Sequence, residues 1–194
     1  MYSLYFKRQF DIIISLLLLP LIVPVLTICG LLIKFEDRGP VFYFAKRLGK
    51  NKKVFKMYKL RSMKVNSPDI RNEDGSTYNS DKDPRLTKVG KLIRKTSLDE
   101  LPQILNVLFG DMSFVGPRPD TPEALDYYTD DDLRKLEVRP GITGYSQAYY
   151  RNAVKQSEKF KNDIFYVNNI SLYLDIKILI LTVKNVLTSK NINS

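Results

Sequence analysis

Residues 12–33 read IIISLLLLPLIVPVLTICGLLI, an uncharged run of 22 positions between Asp11 and Lys34. As a helix it would reach roughly 33 Å, about the thickness of a bilayer's hydrocarbon core. It is too long for the apolar core of a signal peptide, and no small-residue cleavage site follows it. A plain spanning helix is the stronger competitor, and two prolines count against it. Pro24 cannot donate to the carbonyl of Pro20, nor Pro20 to that of Leu16, so successive turns lose backbone bonds where no water replaces them. Charge gives a separate reason. Lys7 and Arg8 precede the run and Lys34 and Arg38 follow it, so a crossing helix would leave one positive flank outside. The expected arrangement is a re-entrant membrane helix-break-helix over residues 1–36, turning at Pro20 and Pro24, with residues 37–194 forming a cytoplasmic domain.

The rest of the 194 residues is ordinary in bulk. With 44% hydrophobic and 27% charged positions, neither wholesale disorder nor a low-complexity chain fits. Histidine is absent, which excludes His-dependent triads and the commonest zinc and iron sites. The single cysteine, Cys29, cannot form an intramolecular disulfide, so no oxidising compartment is needed. The formal charge of +10 invites a nucleic-acid reading, but residues 1–64 hold 13 Lys or Arg against Asp11, Glu36 and Asp37, which leaves the remainder neutral. Nine of those cations fall between positions 41 and 64 with no acid among them. Directly after a membrane-like run they suit anionic phospholipid headgroups, at about 1 kcal/mol for each nearby cation. A plain solvated basic face is the alternative.

The cytoplasmic part reads as α+β and mainly helical. Val41–Phe44 and Val54–Tyr58 are β-like runs joined through Leu48–Asn51, a hairpin. Residues 66–84 are polar and turn-rich, a loop. Lys88–Lys95 reads as a short helix, with a second to about Phe109; Pro122 after Thr121 opens another, and Asp130 to Asp132 begin a further one. From Ile170 to Leu187 apolar residues recur at helical spacing, which suits either the membrane interface or core packing.

Chemistry concentrates between Arg85 and Gly144. In LIRKTSLDELPQ the carboxylates Asp99 and Glu100 follow Arg94 and Lys95, a set that suits Mg²⁺ and phosphate. The same letters also spell a capping box, Ser97 to Glu100. GDMSFVGPRP holds Arg118 between Pro117 and Pro119, which lowers the cost of presenting one guanidinium to a phosphate; pairing with Asp111 or Asp120 is the alternative. In VRPGITG, Arg139 precedes a Pro140-Gly141 turn whose amides suit an anion, or which is merely a turn.

In that order these residues resemble the bacterial sugar transferase family, and within it the small monotopic phosphoglycosyl transferases of the PglC type. The resemblance runs from Lys7-Arg8 and Asp11, through Pro24 and KLRSM (Lys59–Met63), to DPRLTKVGKLIRKTSLDELPQ (83–103), NVLFGDMSFVGPRP (106–119) and RPGITG (139–144). It implies an enzyme of the bacterial inner membrane, active on its cytoplasmic face. Such an enzyme moves a phosphosugar from a UDP-sugar to polyprenyl (undecaprenyl) phosphate and releases UMP, with Mg²⁺ as cofactor. On this resemblance Asp99 is the nucleophile and a metal contact, and Glu100 is its partner toward the lipid phosphate. Arg94 and Arg118 lie around the phosphates, and Lys59, Arg139, Gly141 and Arg151 are further substrate contacts. Homo-oligomers are left open, and nucleic acid is not an implied partner.

Two departures stand out. Val23 precedes Pro24 where the family tends to have serine, and Tyr149-Tyr150 precede Arg151-Asn152 where it often has glycine before Arg-Asn. The competing class is a non-catalytic basic protein of membranes or nucleic acid, which explains the charge but not the ordered carboxylates and arginines.

Overall fold

The structure is a computed structural model that describes residues 2–68, 70, 78, 80, 83–150 and 154–188. The first helix, α1 (Lys7–Asp37), carries Pro20 and Pro24 inside it. It runs as one continuous helix, so the expected break at those prolines does not interrupt it. A proline removes only its own amide bond while neighbouring turns keep theirs. Thr27 Oγ1 also donates to the carbonyl of Val23 at 2.9 Å. By length and composition α1 could cross a membrane, and its apolar stretch is mostly exposed.

Both ends of α1 are fastened to the rest of the protein. Near the start, Asp11 Oδ1 accepts from Ser113 Oγ at 3.0 Å and from the amide of Phe114 at 3.1 Å. Lys7 pairs with Asp175, which also accepts from the hydroxyls of Tyr2 and Tyr166. Near the end, Glu36 accepts from the amides of Lys88 at 2.6 Å and Val89 at 3.1 Å, and Asp37 is held by both terminal nitrogens of Arg61.

The expected hairpin is present and longer than its β-like runs. β1 (Phe42–Leu48) and β2 (Val54–Leu60) pair antiparallel, with Phe42 opposite Leu60 and Leu48 opposite Val54. α2 (Lys88–Lys95) has the expected limits, and Thr87 Oγ1 caps it by accepting from Gly90 N at 2.8 Å. The next helix is split. A single 3₁₀ turn, Leu98–Glu100, precedes α3 (Gln103–Phe109), which closes on Gly110 at φ 92°. β3 (Ser113–Val115) follows, and then a 3₁₀ segment, Pro122–Asp126, where an α-helix was expected and Thr121 makes no cap bond. α4 (Asp130–Leu133) starts at the acids as expected, closed by a capping box between Thr129 and Asp132. β4 (Gly141–Thr143) then pairs with β3 in parallel.

α5 (Tyr145–Tyr149), α6 (Gln156–Asn168) and α7 (Leu172–Leu187) complete the chain. α7 packs on the core, as one of the two expectations had it, and keeps a second apolar side exposed. Leu174, Ile178 and Leu181 pack inward, while Tyr173, Ile176, Ile180, Val183 and Leu187 stay exposed along its other side. Much of the polar loop at 66–84 lies outside the described residues.

Three apolar clusters hold these elements. Ala45, Phe55 and Met57 of the hairpin meet Val107 and Met112; Cys29 and Ile33 of α1 meet Leu60 and Ile93; Val115 meets Ala148, Tyr166 and Ile178. A polar staple joins the first cluster's two sides. Asn106 of α3, fully buried, accepts from the amide of Tyr58 at 2.9 Å and donates to the carbonyl of Lys56 at 2.8 Å. It thereby satisfies the edge of β2 that β1 does not cover. Asn106→Ala should leave both groups unpaired and cost roughly 2–4 kcal/mol, read as a lower thermal midpoint in detergent. Asn106→Asp, which cannot donate to Lys56, should also fall below wild type, and unchanged midpoints in both would show that the staple carries no stability.

Candidate active site

The two carboxylates sit in the 3₁₀ turn ahead of α3. Ser97, just before it, has φ 58° and makes no side-chain cap bond. This left-handed backbone is costly for a residue with a side chain, by about 1 kcal/mol or more. It also rules out the capping box, which needs extended backbone at the cap. Glu100 instead turns toward β2, where its Oε1 accepts from Lys59 Nζ at 2.7 Å; Arg118 Nη2 lies 3.8 Å from the same oxygen.

Asp99 is only 6% exposed. Its carboxylate meets no other side chain within bonding or ion-pair distance among the described residues, and its own backbone amide faces it. Burial pushes this carboxyl above the usual range; Lys59 and Arg94 pull it back, the charge of Glu100 adds to the rise, and burial prevails. Glu100 moves the other way. Burial opposes its charge, but Lys59 and Arg118 outweigh that and hold it well below the usual carboxylate range. Adjacent carboxyls driven apart in this way are suited to different tasks.

Each cation reaches the pair from a different element. Lys59 comes from β2, Arg94 from the last turn of α2, and Arg118 from the proline-flanked loop after β3. Arg94 Nη1 is buried with no hydrogen-bond partner. Arg118 is not consumed by the acids beside it in sequence. Asp120 accepts from Lys135 Nζ at 2.8 Å and from the Tyr128 hydroxyl, and Asp111 accepts from Asn106 at 3.4 Å. Lys135 also pairs with Asp163 of α6 at 2.8 Å, so a buried ion cluster ties down the far end of the Arg118 loop. Nothing in the sequence marked Lys135, Asp163 or Asn106 for these tasks; each needed a partner at least 15 positions away.

Other expected contacts lie elsewhere. Arg139 Nε donates to the carbonyl of Gly110 at 2.8 Å, at the opposite end of α3 from the carboxylates. The amide of Gly141 donates to the carbonyl of Pro117 at 2.9 Å, and a Cβ there would lie 2.1 Å from Gly116 N. In this turn the glycine serves close strand packing, and its amide is already engaged. Arg151 lies outside the described residues, and Pro20 and Pro24 are inside α1.

No group of three or more Asp, Glu or Cys side chains is placed to hold a metal among the described residues. The available hard ligand is the unpaired Asp99 carboxylate. That suits Mg²⁺, which commonly takes one or two carboxylates and completes its shell with substrate phosphate oxygens and water.

The chain as a whole is similar to several known proteins. The chain is 44% identical to an uncharacterized sugar transferase, EpsL, of Bacillus subtilis over 186 residues, 96% of this chain and 89% of that one. It is 39% identical to the exopolysaccharide production protein ExoY of Rhizobium meliloti, covering 95% and 86% of the two chains. It is 41% identical to an undecaprenyl-phosphate galactose phosphotransferase of Salmonella typhimurium, covering 95% of this chain but 41% of that longer relative. A family model described as bacterial sugar transferase matches residues 2–189, and the chain belongs to that family.

Proposed function

We propose that this protein is a phosphoglycosyl transferase, moving a phosphosugar from a UDP-sugar to undecaprenyl phosphate on the cytoplasmic face of the bacterial inner membrane. The observation that carries this reading is the buried, unpaired Asp99 carboxylate faced by Lys59 and Arg94, beside a Glu100 that Lys59 and Arg118 hold charged. An anionic nucleophile can approach an anionic diphosphate only where cations screen the repulsion and receive the charge that builds on the transferred group.

In the first step an Asp99 oxygen attacks the phosphorus that bears the sugar. The bond from that phosphorus to the bridging oxygen breaks, and UMP leaves with the electron pair. In the second step an oxygen of undecaprenyl phosphate attacks the same phosphorus, the acyl phosphate bond breaks, and the Asp99 carboxylate returns. Mg²⁺, when bound through Asp99, neutralises diphosphate charge. Arg94 offers an unused donor to the phosphates, and Arg118, mostly exposed, is placed to clamp them. Glu100, held charged by Lys59, is a weak base. Its task is to fix Lys59 and Arg118 rather than to abstract a proton.

The membrane reading follows from the anchors of α1. A straight helix would separate Asp11 from Glu36 by roughly 37 Å, more than a hydrocarbon core. Yet Arg8 bonds the last carbonyls of α3, Asn106 staples α3 to β2, and β2 ends at Leu60 against Ile33. Two ends tied to one body belong on one side of the bilayer, which favours an α1 that bends at its prolines without being interrupted and re-enters with its exposed middle in lipid. Lys46 and Lys56 lie directly opposite on the hairpin. Like charges so placed destabilise a ladder, and anionic phospholipid would relieve them.

Three outcomes test this reading. Incubated with UDP-sugar and Mg²⁺ alone, the protein should release UMP and gain a phosphosugar adduct on Asp99, seen by mass spectrometry. Asp99→Asn should abolish both, and release of UDP or an adduct on another residue would overturn the mechanism. In the metal-free protein the Asp99 carboxyl should titrate above the ordinary aspartate value of about 3.9, followed by the NMR shift of its side-chain carbon, because burial raises its pKa. Lys59→Met, removing a cation that lowers it, should move that titration to higher pH, and a titration at or below the ordinary value would contradict the assignment. Finally, single cysteines at Tyr5 and Asn51, with Cys29 replaced, should both label from the cytoplasmic side of sealed vesicles. Labelling of position 5 only from outside would exclude the re-entrant arrangement.

A further inference from the structure

Buried polar atoms without a hydrogen-bond partner are rare, and each one asks for an explanation. Among the described residues four side-chain atoms are of this kind: Arg94 Nη1, Ser146 Oγ, Gln147 Nε2 and Gln147 Oε1. The first belongs to Arg94, whose charge acts on Asp99 and Glu100. The other three sit together on α5, a short helix with no part in the chemistry described above, and Ser146 is only 5% exposed.

This second group lies against the loop that carries Arg118. A Cβ built on Gly144 would be 2.2 Å from the carbonyl oxygen of Gly116 and 2.8 Å from Gln147 Oε1, so the carboxamide and Gly116 flank the same point. Arg118 is two residues further on, at most about 7 Å of extended chain, and its guanidinium reaches Glu100. A ligand held by Arg94 and Arg118 through its phosphates therefore has Ser146 and Gln147 within its neighbourhood.

The chemistry of the vacant partners narrows the ligand. A carboxamide free at both ends offers a donor and an acceptor side by side in one plane. A cyclic imide edge, an N–H flanked by carbonyl oxygens, satisfies both at once, and the Ser146 hydroxyl one residue earlier is a further donor without a partner. We infer that Ser146 and Gln147 form the base subsite of the nucleotide donor, with Gln147 reading the imide edge of its uracil. This inference rests on the phosphoryl-transfer reading of the carboxylate site.

The test compares UMP with ribose 5-phosphate, which lacks the base, by calorimetric titration of the full chain in detergent with Mg²⁺. Gln147→Met keeps the volume and removes both hydrogen-bonding atoms. It should weaken UMP binding by about tenfold, the worth of roughly 1.4 kcal/mol of lost hydrogen bonding, and leave ribose 5-phosphate unchanged. Should that variant fail to fold, Ser146→Ala is expected to lower the same preference for UMP severalfold. A wild-type preference retained in the variants would overturn the subsite, including the case in which Gln147 meets the sugar instead. Equal losses for both probes would assign the pair a structural task and overturn it as well. If the wild type releases UMP from UDP-sugar while the variants keep the preference, the subsite alone falls; if the wild type neither releases UMP nor binds it, the proposed function falls with it.

Discussion

A single carboxamide governs where the important groups lie. Asn106 satisfies the open edge of β2 from within α3, and its position in the chain makes that bond consequential. Lys59 is one residue beyond Tyr58 on the stapled strand, and Glu100 is three residues before the stapled helix. Registering β2 on α3 therefore registers the cation on the carboxylate. The same contact sets α1, because α1 grips α3 through Arg8 at one end and packs Ile33 on Leu60 of β2 at the other. Loss of this register would disturb the carboxylate site and the seating of α1 together.

Elements whose signals are local were legible in the sequence. The apolar run, the β-branched and aromatic hairpin, α2 and the periodic α7 all follow from residues within one or two turns of each other. Where a local signal competed with a distant one, reading failed. Ser97 to Glu100 has the letters of a capping box, yet Lys59, 41 positions away, offers Glu100 a charge-assisted bond that a cap cannot match. Gly141 looked like an anion cradle because its partner strand, three residues long and parallel, has no periodic signature of its own. α6 is polar on most of its surface and was not foreseen. The pair Asp99-Glu100 was legible as chemistry, but the opposite directions of its two carboxyls were not, since burial and the approach of Lys59 are properties of the fold.

The basic character of the first third of the chain divides into two kinds of charge. Lys59 and Arg61 face inward and are paired with Glu100 and Asp37. Lys46, Lys50, Lys52, Lys53 and Lys56 stay exposed around the hairpin turn. Counting charges on the sequence merges the two, whereas the fold pairs Lys59 at the carboxylate site and Arg61 at the end of α1, and leaves the other set on the surface of the hairpin. An enzyme acting on a lipid-anchored anion gains from both, because confinement to a surface raises the effective concentration of its acceptor.

The bonds of Asp11 also constrain the order of events while the chain is being made. Its partners Ser113 and Phe114 lie 102 and 103 positions downstream, and the mate of Lys7 is 168 positions downstream. At a synthesis rate of about 5–20 residues per second, the apolar segment leaves the ribosome many seconds before those partners exist, and until then Asp11 has only Lys7 and Arg8 beside it. A carboxylate is expensive in hydrocarbon and cheap at the headgroups. On the membrane reading proposed above, Asp11 would keep the newborn segment at the interface until the later part of the chain arrives to receive it, making the position of the helix a matter of timing as well as of hydropathy.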